Sequence, residues 1–331
     1  MLSRVAQNIY WMARYIERVE DTARLISVND ILLLDLPHGS LGWEPLVFIS
    51  GSQDLFLSSK KDSNELNIIQ FLVGDRNNSV SILSSLSYAR ENLRTTRDVV
   101  PREAWEQINS LYMYVRDHLV IGMSRRGRHE FLKRIIHGTQ QVTGMLAGTM
   151  SHTHAYDFVR LGRNLERADM TTRILDVRSA NLLVDKTSVV QSQDMPGQSQ
   201  TQEQLLEQDP VELNPFENIQ WMSVLKSLSA YQMYRQHIRL RVRGPDVLQF
   251  LLQNRHFPRS VLHCLGELDE CLHDLPKNTV PLDWIAQLNQ RLEKAQIAEL
   301  AREGLHEFID DLQIGLGALH EHLVTTYFDH A

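Results

Sequence analysis

Two stretches of the chain carry one charged pattern. RYIERVEDTARLI (residues 14–26) and RNLERADMTTRIL (residues 163–175) share Arg, Glu-Arg, Thr and Arg in register, 149 positions apart. The arginines Arg14, Arg18, Arg24, Arg163, Arg167 and Arg173 are planar forks suited to gripping a carboxylate with two bonds. They are the candidate ligand-binding residues. Glu17 and Glu166, one per stretch, are the candidate bases for acid–base chemistry, with the flanking arginines as electrostatic stabilisers. A helical di-metal site needs Glu-x-x-His on facing helices. Neither ERVED nor ERADM supplies that His, and an Arg beside each Glu disfavours a cation, so no metal is expected.

These side chains need helices to present them. At about 100° per residue, Arg14, Glu17, Arg18 and Asp21 share one face with Tyr10 and Leu25. Met12, Ile16, Val19, Ala23 and Ile26 lie opposite, so on its own the first stretch reads as a surface helix with a solvated charged face. The second differs. Val159, Met170, Ile174 and Val177 join its charged face, while Phe158, Leu161, Leu165, Ala168 and Leu175 fill the other side. A helix apolar nearly all round is central, and charges on it must be paired. Either Arg and Glu from the two stretches cross-pair and fix register, or the arginines in excess bind an acidic ligand.

Few glycines and prolines (16 and 10 in 331 residues) and an apolar spacing of three to four argue for an all-α chain. Helices are expected at about 3–35, 64–73, 79–97, 102–121, 128–149, 152–185, 215–240, 245–253, 259–274, 281–299 and 302–327, with 36–58 as loop or short pieces. Three further segments recur in order. QFLVGDRNNSVSIL (70–83) aligns with QFLLQNRHFPRSVL (249–262), VPREAWEQIN (100–109) with VPLDWIAQLN (280–289), and HEFL (129–132) with HEFI (306–309), at offsets of 177 to 180. The offset grows from 149 to 179 across a Gln- and Ser-rich stretch at 187–214, read as a disordered insertion. The expectation is two tandem-duplicated helical bundles, 1–150 and 151–331, packed with pseudo-two-fold symmetry.

A net charge of −7 gives no general attraction to nucleic acid or anionic membrane. The start lacks a signal-peptide core, no apolar run reaches a membrane span, and two cysteines suit a reducing cytoplasm. Cys264 and Cys271, seven apart, read as small core residues. His152 and His154, like His320 and His322, are two apart and point away from each other on a helix. There is no phosphate-binding glycine loop, so no nucleotide cofactor is expected. Arg125, Arg126 and Arg128, placed in a loop before a helix, are the candidate partner-docking residues. Arg235, Arg239, Arg241 and Arg243 gather late in another helix.

The opening MLSRVAQNIYWMARYIERVEDTARL, YARENLRTTRD (88–98), GTMSHTHAYDFVRLGRNLERADMTTRILDVR (148–178), FPRSV (257–261) and EGLHEFIDDL (303–312) together resemble the alpha-E family, a bacterial helical family named for its Glu-Arg motif. The likeness covers nearly the whole chain. It departs at NNSVSIL, where the family has a Pro after the Asn pair and this chain has Ser79 and Val80. The resemblance implies partners: genes of this family sit beside those for an ATP-grasp-type ligase and a transglutaminase-like peptidase. It therefore implies an accessory part in making or modifying a peptide rather than a mechanism, and the arginine set beside it suits a carboxylate-bearing peptide or metabolite.

Overall fold

The computed structural model describes residues 3–35, 42–191, 215–239 and 241–329. Among these the chain is all-helical. The first part holds α1 (Ser3–Asp35), α2 (Pro45–Ile49), α3 (Gln53–Ser58), α4 (Glu65–Val73), α5 (Ile82–Arg94), α6 (Arg102–Asp117), α7 (Leu119–Met123) and α8 (Arg125–Thr149). The second holds α9 (His154–Gln191), α10 (Pro215–Ser227), α11 (Tyr231–His237), α12 (Gly244–Gln253), α13 (Val261–Asp274), α14 (Thr279–Lys294), α15 (Ile297–Leu300) and α16 (Leu305–Leu323), closed by a π-helical turn, Val324–Phe328.

Most differences from the expected helices have local causes. The helix expected at 102–121 divides at His118, and that at 215–240 breaks where Ser229 takes a left-handed φ of 54°. α16 begins late because Gly304, at φ 84°, turns the chain first. Residues 187–191 of the expected insertion continue α9, and 192–214 lie outside the described residues.

α1 and α9 pack against each other at the centre. α5 and α8 cover α1, while α13 and α16 cover α9. The short helices cross over: α2 rests on α9, and α10 on α1. α1 and α9 run in the same direction, since Tyr10 and Ala13 meet Gly162, Arg14 meets Glu166, and Asn29 meets Arg178. Their close approach depends on Gly162, where a Cβ would stand 2.2 Å from the Tyr10 carbonyl oxygen and 3.2 Å from Ala13 Cβ. This contact brings the charged residues one turn further on within reach of the opposite helix.

The solvated-face reading of the first stretch is corrected by this packing. Arg14, Glu17, Glu20, Asp21 and Asn29 are all buried. α9 and the helices around it cover the face that would otherwise be wet, so both charged stretches lie inside the molecule.

Candidate functional site

The two glutamates are held across the α1–α9 seam. Glu166, 2% exposed, accepts from Arg14 Nε at 2.7 Å and from Arg18 Nε and Nη2 at 2.6 and 3.0 Å. Glu17, also 2% exposed, accepts from Arg167 Nε at 2.7 Å. Arg18 on Glu166 and Arg167 on Glu17 are reciprocal contacts, each running from one charged stretch to the other.

Burial alone would raise both carboxyls. The guanidinium groups overcome it: Arg18 and Arg14 draw Glu166 down to about 2, and Arg167 with Arg259 lowers Glu17. Both glutamates are therefore saturated anions. A carboxylate near 2 is a weak proton acceptor at neutral pH, which counts against Glu166 as a general base.

Arg259 is the residue that spacing did not reveal as part of this cluster. It stands just before the serine that caps α13 and is buried. Its Nη2 reaches Glu17 at 2.8 Å and Glu20 at 2.9 Å, and its Nη1 reaches Asp21 at 2.5 Å. Three carboxylates converge on one guanidinium. Burial, reinforced by Glu17 and Glu20, lifts Asp21 to about 7 in spite of Arg259. One signal in the sequence could have pointed here: FPRSV places Arg259 where the aligned first-half segment has Val80.

The candidate arginines now separate. Arg14 and Arg18 hold Glu166, Arg167 holds Glu17, Arg24 pairs with Glu20 at 2.6 Å, and Arg173 pairs with Asp169 at 2.9 Å. Arg163 makes no ion pair within the motif set, and its buried Nε has no hydrogen-bond partner. It lines an open groove of about 1170 Å³ with His152, Tyr156, Asp157, Arg160 and Asp274. His152 and Tyr156 stack there, ring centroids 4.1 Å apart, while Arg160 is tied to Glu267 and Glu270.

A second, smaller cavity of about 210 Å³ touches the seam at Arg14, Arg18, Glu166, Asp169, Arg173 and Val80. Gly51 also borders it. A side chain there would meet Arg173 Nη1 at 2.6 Å, and its φ of 68° suits glycine.

The partner-docking set is corrected. Arg125, Arg126 and Arg128 open α8 rather than a preceding loop, with Ser124 accepting from the Gly127 amide as cap. Arg128 is 1% exposed and bonds Asp30 at 2.7 Å and Glu65 at 2.8 Å, so it ties α8 to α1 and α4 and is closed to a partner. Arg125 also pairs with Glu65, and Arg126 is exposed. α11 ends at His237, which leaves Arg239, Arg241 and Arg243 beyond the helix expected to carry them.

The histidine pairs divide by context. His152 precedes α9, whereas His320 within α16 bonds Tyr10 Oη at 2.8 Å and is pushed down to about 4, chiefly by burial and then by Arg14. Burial also pushes the Cys264 and Cys271 thiols up to about 12, which makes them packing residues rather than nucleophiles. Among the described residues no helix is long and apolar enough to cross a membrane, and no three His, Cys, Asp or Glu side chains gather as a metal site.

No curated protein and no solved structure matches the chain. The profile of one family, described as a predicted alpha-helical domain with a conserved ER motif, matches residues 1–328. The Glu17-Arg18 and Glu166-Arg167 pairs at the centre of the molecule are two such dipeptides. The chain belongs to the Alpha-E family.

Proposed function

We propose that this chain is an accessory binding subunit of a bacterial, cytoplasmic peptide-ligation or peptide-modification system. It acts beside an ATP-grasp-type ligase and a transglutaminase-like peptidase and holds a carboxylate-bearing peptide or metabolite. The observation that carries this reading is Arg163: the one guanidinium of the motif set that closes no salt bridge among the described residues, although its charge acts on Glu17, placed on a groove of about 1170 Å³. A groove of that size accommodates a peptide segment, and an Arg fork facing it is suited to a carboxylate.

The other five motif arginines then have a supporting role. They hold the seam in register, and the seam holds Arg163. Internal duplication accounts for the arrangement: each Glu-Arg is paired from the other half, and Ala13 meets Gly162, its counterpart 149 positions on. The alternative of an auxiliary enzyme with a glutamate base is disfavoured by the arginines that saturate Glu17 and Glu166. A purely structural partner would have no use for an Arg that closes no salt bridge and lines a wide groove.

The test is co-purification with the adjacent ligase, followed by mass spectrometry of what accompanies the pair. The expected result is a carboxylate-bearing ligand that is lost in Arg163→Gln while the melting temperature is unchanged. Retention of the same ligand by Arg163→Gln would overturn the reading, as would turnover by the purified chain that disappears in Glu166→Gln under conditions where circular dichroism shows that variant folded.

A further inference from the structure

Val80 and Arg259 occupy matching places in the chain. Each directly precedes a serine, Ser81 or Ser260, whose side chain caps the next helix, α5 or α13. Each also faces the seam from its own side. Arg259 reaches Glu17 on α1, and Val80 borders the cavity beside Glu166 on α9. The surroundings match as well: Thr171 Oγ1 bonds the Arg259 carbonyl at 2.9 Å, and Thr22, its counterpart 149 positions earlier, lines the cavity beside Val80.

The two loci differ in what fills them. Around Arg259, the acids Glu17, Glu20 and Asp21 face Arg24, Arg167 and Arg259, and Arg163 also acts on Glu17. Around Val80, Glu166 and Asp169 face Arg14, Arg18 and Arg173, two against three. Met170 stands where the other locus has Asp21. One locus is filled by the chain's own Arg259 against Asp21. The other keeps a void of about 210 Å³ and one positive charge in excess.

A buried charge without a counter-charge is costly. Arg14 and Glu166, both buried, form the inner wall, and Arg18 and Arg173 stand at the more exposed edge. A cation would add to the excess, whereas a monoanion would remove it. Guanidinium groups with remaining N–H donors favour an oxyanion, since carboxylate and phosphate oxygens match their fork.

We propose that the cavity between Val80, Gly51 and the Arg14–Glu166–Arg18 cluster is a binding site for a small oxyanion, a carboxylate or a phosphate, taking the place that Arg259 and Asp21 fill in the opposite half. The cavity shares no lining residue with the groove at Arg163, so this site stands or falls independently of the function proposed above.

Calorimetric titration with inorganic phosphate and, separately, with acetate tests the site on the full chain, with thermal melts alongside. One or both anions should bind saturably, and the one that binds names the chemistry. At a hundredfold excess over Kd the melting midpoint should rise by roughly 3–5 °C. Met170→Asp supplies the missing negative charge and should abolish binding. Val80→Arg/Met170→Asp copies the filled locus, and should fold, melt higher than Met170→Asp alone and bind neither anion. Arg163→Gln should bind as the wild type does. Failure of both anions to bind the wild type overturns the proposal, as does unchanged binding in either variant carrying Met170→Asp.

Discussion

Arg18 donates to Glu166 from both Nε and Nη2, across 148 positions of chain and from one central helix to the other. Glu166 is buried and Arg18 half-buried, and Arg14 completes the contact from one turn earlier. A buried ion pair adds little over a well-packed apolar contact, but breaking one side of it is costly. Glu166→Gln keeps the shape and removes the charge, leaving two guanidinium groups facing a neutral amide. The expected loss is about 3–5 kcal/mol, read from urea midpoints.

Arg259 and Arg163 should behave oppositely. Arg259→Met leaves Asp21 without its ion-pair partner and Glu17 and Glu20 with one arginine each, and should cost about 3–5 kcal/mol. Arg163→Met removes a side chain that closes no salt bridge in the seam and only adds to the charges lowering Glu17, and should cost no more than about 1 kcal/mol. Equal losses in chemical denaturation would refute the division between structural and open arginines.

Two glycines on long helices give a contrast in packing. A Cβ at Gly162 would stand 2.2 Å from the Tyr10 carbonyl oxygen, so Gly162→Ala must push α1 from α9. The expected cost is about 2–3 kcal/mol. Gly144 on α8 has nothing within 4 Å of such an atom, so Gly144→Ala should gain about 0.5–1 kcal/mol through helix propensity. Thermal melts of the two variants should move in opposite directions.

Asp21 makes stability depend on pH. Its carboxyl titrates near 3.8 in an unfolded chain and is raised to about 7 in the fold. A raised carboxyl contributes stability that is full below 3.8 and is lost as pH rises through 7. His320, lowered from 6.5 to about 4, works the other way, so the informative quantity is a difference between proteins. Asp21→Asn should gain on the wild type steadily from pH 4 to pH 7. Urea midpoints at pH 4.5 and 7.5 measure this, and a constant difference would contradict the raised Asp21.

The periodic part of the structure was legible in the sequence. The spacing predicts α1 at 3–35 and it spans Ser3–Asp35; α4 and α12 lie close to their expected ranges, and the described residues are all-helical. Helix formation depends on near neighbours, so spacing, caps and prolines report it. The apolar surroundings of residues 163–175 likewise mark that stretch as internal.

Which side chains would meet was settled only by tertiary structure. The charged face of α1 has the periodicity of a solvated surface, and only the helices that cover it make Glu17 and Asp21 buried. Arg128 looked like part of a basic surface patch until α1 and α4 supplied Asp30 and Glu65. Arg259 lies 238 positions from Asp21, with nothing local to link them. The sequence by itself determined where the helices run and that two Glu-Arg copies exist. The three-dimensional packing decided which arginines are consumed by buried carboxylates and left Arg163 open, because burial and pairing belong to the surfaces brought together and not to the segment that carries the charge.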